Sequence, residues 1–170
     1  MKIELLITIV GGLGAASKWV YEYARKNTWE QNRFLLEQIE KLENLESTKC
    51  AQRCLDWNSA TITYQGEKIK INDDNLIESL QTHNVKHRFT PDEVMVRKIF
   101  DEYFDSLTKL IILSKSKLIS KKNLIIFLDY WIKILSGEKQ NKKTEVVNQI
   151  HVYLKYYGYD HLYNFLKEKK

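Results

Sequence analysis

Residues 5–16, with the sequence LLITIVGGLGAA, decide which class of fold this chain belongs to. They form a nearly unbroken run of apolar and small residues, with Glu4 before it and Lys18 after it. A helix that crosses a bilayer needs about 20 mostly apolar residues, so this run alone is short for that role. It approaches the required length if Ile3 is included and if the Lys18 side chain extends towards the headgroups, so that the helix continues to Tyr21.

The residues that follow the run favour a membrane anchor. Trp19 and Tyr21 are of the aromatic type that is enriched where a helix leaves the bilayer, and Arg25 and Lys26 follow them. Positive charge next to a spanning helix favours the cytoplasmic side. We therefore predict a single-pass anchor over residues 1–26 in a cell or thylakoid-type inner membrane, with the bulk of the chain on the cytoplasmic side. Trp19, Tyr21, Arg25 and Lys26 are its predicted interfacial residues.

Small residues in the run predict that this helix contacts another helix. Gly11 and Ala15, and likewise Gly12 and Ala16, are four positions apart and form two small-x-x-x-small pairs. In lipid, such pairs let two helix backbones approach closely. In water, each glycine costs a helix about 1 kcal/mol relative to alanine, so the composition fits lipid better. We predict that Gly11, Gly12, Ala15 and Ala16 form the contact face.

Two other interpretations of the run remain open. A run of 10–14 apolar residues is also typical of a helix buried in a core or in a partner, and the protein would then be soluble. The sequence Ala15-Ala16-Ser17 resembles the small-residue site at which a signal peptide is cleaved. Against a signal peptide, the only basic residue before the run is Lys2, and Glu4 offsets its charge.

The composition of the rest predicts a mainly helical domain. The chain has 170 residues with one proline and six glycines, so few residues interrupt helices. Apolar residues recur every three or four positions over residues 29–45, which predicts an amphipathic connecting helix within residues 27–46. Residues 47–170 then form a small helical bundle. The net charge is +5, and the late lysines, which include Lys121, Lys122, Lys142 and Lys143, are interpreted mainly as solvated helix ends. No motif of a nucleic-acid-binding module is present, so nucleic acid is not an expected partner.

Local patterns place a hairpin and a long helix in this domain. Ile62 and Tyr64 alternate with threonines, Ile69 and Ile71 alternate with lysines, and Gly66 separates the two runs. This pattern predicts a β-hairpin near residues 60–72. The sequence Thr-Pro-Asp-Glu at positions 90–93 predicts a helix that starts with a capping box and a proline in its first turn. Further helices are predicted over residues 121–135, 144–157 and 160–167.

The side chains that are able to carry chemistry form only weak patterns. Cys50 and Cys54, and His83 and His87, have spacings that permit metal binding, but each pair is weak alone and the separation is long for a zinc finger. Asp101, Glu102 and Asp105 are interpreted as the wet flank of the helix that starts at residue 91. No phosphate-binding loop, nucleophile elbow or HExxH motif is present. We therefore expect a protein without catalytic residues, cofactor or small-molecule substrate, and a metal-dependent enzyme is the least favoured alternative.

Several strings resemble one bacterial group of proteins. They are Leu55-Asp56-Trp57-Asn58, Phe89-Thr90-Pro91-Asp92-Glu93, IFDEYFDSL at 99–107, Tyr130-Trp131-Ile132 and Tyr156-Tyr157-Gly158. The group is of the kind common in cyanobacteria, with an N-terminal hydrophobic helix and a small helical cytoplasmic domain. The resemblance implies a membrane-tethered helical protein and no activity. The combined prediction is a membrane-anchored accessory or scaffold subunit that binds a membrane protein complex or its own copies. The alternative is a soluble helical regulatory or ligand-binding module whose first helix packs on a partner.

Overall fold

A computed structural model of the chain describes residues 2–139 and 142–168, with side chains from residue 19 onwards. As the sequence predicts, the described part is mainly helical and holds one two-stranded antiparallel hairpin. The elements are α1 (Lys2–Asn44), α2 (Glu46–Asp56), β1 (Ser59–Tyr64), β2 (Glu67–Asn72), α3 (Asp73–Ser79), α4 (Pro91–Lys115), α5 (Lys121–Ser136), α6 (Thr144–Tyr156) and α7 (Asp160–Lys167).

Helix α1 is one continuous helix of 43 residues, where the sequence suggests an anchor helix and a separate connecting helix. At a rise of 1.5 Å per residue it is about 64 Å long. Leu35, Ile39 and Leu42 are its buried apolar residues, and their spacing of four and three places them on one face. The helix ends before Leu45, whose backbone is extended and caps α2. Within residues 19–44 of α1, whose side chains the structure describes, the C-terminal part therefore packs in the domain.

The hairpin packs its apolar face on α2. Ile62 and Tyr64 of β1 and Ile69 and Ile71 of β2 are all buried, in the predicted alternation. The two-residue turn between the strands has positive φ at both central positions, 53° at Gln65 and 86° at Gly66. This is the turn type whose twist matches that of a hairpin, and glycine adopts it without strain.

Helix α4 is central to the domain and contacts α2, α3, α5 and α7. It begins as predicted. The Thr90 hydroxyl accepts a hydrogen bond from the backbone N–H of Glu93, and the Glu93 carboxylate accepts one from the backbone N–H of Thr90. Phe100, Tyr103 and Phe104 of this helix are fully buried. The aromatic side chains of α4 thus form the centre of the core.

The interior also holds an ion pair that the sequence does not reveal. Lys142 precedes α6 and Asp73 begins α3, and their side chains are only 1% and 3% exposed. The interpretation of Lys142 as a solvated lysine is therefore wrong. Its ammonium group donates to Asp73 at 2.6 Å and to the backbone carbonyl of Trp57. This pair joins the α5–α6 connection to the end of the hairpin.

Residues 1–18 of the predicted anchor lie outside the side chains that the structure describes, whereas residues 19–26 are described. Among the residues that it does describe, no helix combines the length and the apolar composition needed to cross a membrane.

Candidate functional site

Residues 19–30 of α1, called the arm here, carry five exposed large apolar side chains: Trp19, Val20, Tyr21, Tyr23 and Trp29. Trp19 and Tyr21 are each 67% exposed, and Trp29 is 61% exposed. The rings of Trp19 and Tyr23 stack on one another with their centroids 5.8 Å apart, so part of this surface is organised by the arm itself. An exposed apolar patch of this kind marks a surface that contacts a membrane or another protein.

The predicted interfacial residues Trp19, Tyr21, Arg25 and Lys26 all lie on the arm, and all four are exposed. Lys26 Nζ is 3.8 Å from the Glu30 carboxylate one turn later, an exposed pair that contributes little to stability. The predicted helix-contact residues Gly11, Gly12, Ala15 and Ala16 precede the arm and lie outside the described side chains.

The arm leaves the domain beside the connection between α4 and α5. The Gln31 side chain donates to the carbonyl of Lys117 at 3.0 Å. One residue later, the Asn32 side chain accepts a hydrogen bond from Asn123 of α5 at 2.6 Å. Leu35 is the first residue after these contacts that is fully buried. The α4–α5 connection and the start of α5 therefore contact α1 directly after the arm.

The four residues considered for zinc are not brought together. Cys50 and Cys54 are buried on α2, and Cys50 Sγ donates to the Thr63 carbonyl at 3.2 Å. His83 lies in the α3–α4 connection, where its Nδ1 is hydrogen-bonded to the Tyr157 hydroxyl. His87 is exposed. Within the described residues, no cluster of three or more histidine, cysteine or acidic side chains is arranged to hold a metal.

The two thiols are in environments that suppress their reactivity. Burial, with the nearby Cys50 as a smaller contribution, raises the pKa of the Cys54 thiol to about 12. Burial also raises the pKa of Cys50. Because the thiolate is the reactive form, neither cysteine is suited to nucleophilic or redox work near neutral pH.

Arg97 is the centre of a polar cluster that sequence analysis missed. It is 8% exposed and donates to the carbonyls of Ser79 at 2.9 Å and Gln81 at 2.7 Å, and to the Tyr157 hydroxyl at 2.7 Å. Its guanidinium carbon lies 4.3 Å from the centroid of the Phe89 ring. These contacts join α4 to the α3–α4 connection and to the end of α6, so Arg97 holds the fold together at this end.

Two acidic residues of α4, Asp101 and Glu102, accept hydrogen bonds from tyrosines of the domain. Asp101 accepts hydrogen bonds from the hydroxyls of Tyr153 at 2.6 Å and Tyr159 at 3.2 Å, and Glu102 accepts one from Tyr64 at 2.9 Å. Burial, and then the hydrogen bond to Glu102, raise the pKa of Tyr64 to about 12. The interpretation as a wet flank therefore fits exposed Asp105 but not Asp101 or Glu102, which are half-buried and accept bonds from tyrosines.

An open cavity of about 360 Å³ lies beside this network. Arg97 and Asp101, which border it, are bonded to backbone carbonyls and tyrosine hydroxyls of the chain. These two side chains position α6 and α7, and they do not form the paired acid and base that catalysis needs.

No protein-family model matches this chain, and no curated protein or solved structure matches it either. The resemblance to a bacterial group thus stays a prediction. The arm, which contains the four predicted interfacial residues, is the candidate functional surface that the described residues support best.

Proposed function

We propose that this chain is a membrane-attached, non-catalytic accessory or scaffold subunit. Helix α1 attaches it to the membrane, and the folded domain is held at the cytoplasmic face. One observation carries the proposal: every residue of the arm is exposed, although the arm continues directly from a helix that packs in the domain. The domain leaves Trp19, Tyr21 and Tyr23 uncovered, and residues 5–16 are the most apolar run of the chain.

Lipid is the occupant that fits the arm and the apolar run together. Tryptophan and tyrosine have apolar rings with one polar atom, and they are enriched at membrane interfaces. Arg25 and Lys26 lie about one helical turn beyond Tyr21, where cations meet the headgroups. Within the membrane, the pairs Gly11/Ala15 and Gly12/Ala16 are the proposed contact to a second copy or to a subunit of a membrane complex.

The test is membrane fractionation of the full chain and of a variant with a charge in the run. Wild-type protein is expected in the membrane fraction, where detergent releases it and high salt does not. Val10→Asp is expected to move it to the soluble fraction, because a carboxylate at the centre of a spanning helix costs about 3 kcal/mol. Val10→Leu is the matched control and should fractionate as wild type does. Full-length protein that is monodisperse without detergent would disprove the attachment and favour the soluble regulatory module.

A further inference from the structure

The connection between α4 and α5 is a basic turn with an exposed leucine at its tip. Residues 115–122, called the basic turn here, have the sequence KSKLISKK. Its four lysines flank Leu118, which is 52% exposed, whereas the next residue, Ile119, is 1% exposed. Cations around one protruding apolar side chain suit a surface that is anionic outside and apolar beneath.

The basic turn places a lysine at a backbone position where glycine would be more stable. The N–H of Leu118 donates to the carbonyl of Leu113, and the N–H of Lys117 donates to that of Ser114, which together form a Schellman motif. The residue at the left-handed position of this motif is usually glycine, yet here it is Lys117 with φ of 58°. At the end of α6 the same position is occupied by Gly158, with φ of 78°. Lysine at this position strains the backbone.

The start of α5 shows a second departure. Its first turn contains Lys121 and Lys122 and no acidic residue. The N-terminus of a helix is the positive end of the helix dipole, so acidic residues stabilise it and lysines do not. The turn therefore has a lysine where glycine is preferred and lysines where acidic residues are preferred. Such departures from local stability are expected at functional sites.

Only one of the four lysines, Lys121, is paired with a carboxylate of the described chain. Lys121 Nζ lies 3.0 Å from a Glu168 carboxylate oxygen, and Lys115 Nζ lies 3.1 Å from His161 Nδ1. For Lys117 and Lys122, no carboxylate of the described chain is within 4.0 Å. Their charges lie on either side of Leu118 in the sequence and are available to an anionic partner.

The basic turn lies close enough to the arm to reach the surface of a membrane that holds α1. Asn27 of the arm and Leu118 line the same cavity, and Gln31 is bonded to the Lys117 carbonyl. Along the helix axis, Asn27 is about 12 Å from Trp19. If Trp19 marks the edge of the hydrocarbon, the headgroup layer of about 6 Å covers half of that distance. The remainder is shorter than the Debye length of about 8 Å at physiological salt, so the lysines still sense the surface charge.

We infer that the lysine side chains of the basic turn bind the anionic phospholipid headgroups of the membrane that α1 occupies, with Leu118 facing that surface. The inference rests on the proposed membrane attachment and names the lipid chemistry that the domain recognises. It gives the domain a second point of attachment. Each lysine near an anionic leaflet is expected to contribute about fivefold in affinity.

The experiment follows the basic turn in vesicles with the full chain. A fluorophore is attached at Ser116→Cys, which is exposed on the turn and leaves Leu118 in place. The reporter control is Val85→Cys, which is 67% exposed in the α3–α4 connection, near the opposite end of α4. Vesicles of phosphatidylcholine alone are compared with vesicles that also contain phosphatidylserine, and a headgroup spin label quenches any fluorophore that reaches the headgroups. Flotation reports whether the protein is bound at all.

Charge-reversal variants give the decisive comparison. Lys117→Glu with Lys122→Glu reverses the charges of the two lysines that have no polar side-chain partner in the described chain. Lys68→Glu with Lys70→Glu makes the same change in net charge on exposed positions of β2, which lies near the other end of α4. A third variant, Leu118→Ser, tests the apolar tip.

We expect flotation with both vesicle types, and quenching at position 116 only when phosphatidylserine is present. The turn reversal should abolish this quenching without affecting flotation, the β2 reversal should not, and Leu118→Ser should reduce it. Flotation without quenching at position 116 would overturn the inference and leave the attachment through α1 intact. The reverse result is distinguishable: flotation only with phosphatidylserine, lost in the turn reversal, would disprove anchoring by α1 and retain lipid binding by the turn.

Discussion

Lys142 Nζ lies 2.6 Å from Asp73 Oδ1, and the two side chains are among the least exposed charged groups of the described chain. The second oxygen of Asp73, Oδ2, is buried and without a hydrogen-bond partner among the described residues. The carboxylate therefore depends on Lys142 for compensation of its charge.

The first prediction is that Lys142→Met destabilises the domain by about 3–5 kcal/mol, because it leaves a buried carboxylate unpaired. The control is Lys143→Met, which removes the neighbouring pair with Asp74. That pair is 3.2 Å long and its side chains are 55% and 74% exposed, so its loss should cost less than about 1 kcal/mol. Urea unfolding followed by circular dichroism measures both. Equal destabilisation by the two variants would contradict the structural role of Lys142.

The second prediction concerns the strained residue of the basic turn. Lys117→Gly should stabilise the domain by about 0.5–1 kcal/mol, since glycine adopts a positive φ without steric strain. Lys117→Ala removes the same charge but keeps the Cβ atom, and it should not stabilise. Gly158→Ala should destabilise the domain by about 1 kcal/mol, because an alanine at this positive φ strains the backbone. No atom lies within 4 Å of the added Cβ, so a steric clash with neighbours does not contribute. Thermal unfolding of the three variants checks the set, and a gain in Lys117→Ala equal to that in Lys117→Gly would disprove the strain.

The third prediction is a loss of stability at alkaline pH. The pKa of the Cys54 thiol is raised from 9.0 to about 12, so the unfolded chain releases this proton first as the pH rises. Ionisation above pH 9 therefore favours the unfolded state, and the stabilisation disappears as the pH approaches the folded pKa. Tyr64, with a pKa raised to about 12, acts in the same direction.

Cys54→Ala isolates the thiol contribution. Between pH 9 and 11, the free energy of unfolding of this variant should fall less steeply than that of wild type, by about 1 kcal/mol per pH unit at most. Urea unfolding across this pH range measures the two slopes. Parallel slopes would show that Cys54 ionises alike in both states.

The fourth prediction concerns the small residues of α1. Gly12→Ile should weaken association between anchor helices in detergent or vesicles, because a large side chain prevents close approach of the backbones. Leu13→Ile keeps the size and apolar character of the residue next to it and serves as the control. Energy transfer between donor- and acceptor-labelled copies measures association. Unchanged transfer in Gly12→Ile would exclude a homotypic contact through this face.

The elements were predictable where the signal is local. The capping box of Thr90 and Glu93 and the alternation of Ile62 and Tyr64 both arise from residues close in sequence, and both predictions are confirmed. A capping box and an alternation with a period of two are properties of a few neighbouring residues, so they can be recognised without knowledge of the fold.

The polar contacts of the interior were not predictable, because their partners are distant in sequence. Lys142 and Asp73 are 69 residues apart, and Arg97 and Tyr157 are 60 apart. In the sequence these side chains look like ordinary solvated groups, since burial depends on how the helices pack. The basic turn was visible only as part of a run of lysines. Its importance depends on the position of Leu118 and of the arm.

The continuity of α1 has a consequence for the angle at which the domain faces its surroundings. From Trp19 to Asn44 the helix contains no glycine or proline, so it has no obvious point at which to bend. Each residue turns the helix by about 100°, so inserting one residue into the arm would swing the domain by that angle. Inserting four residues would return it to within about 40° of its original heading. The number of residues in the arm thus sets a rotational phase between the domain and whatever holds the N-terminal end of α1.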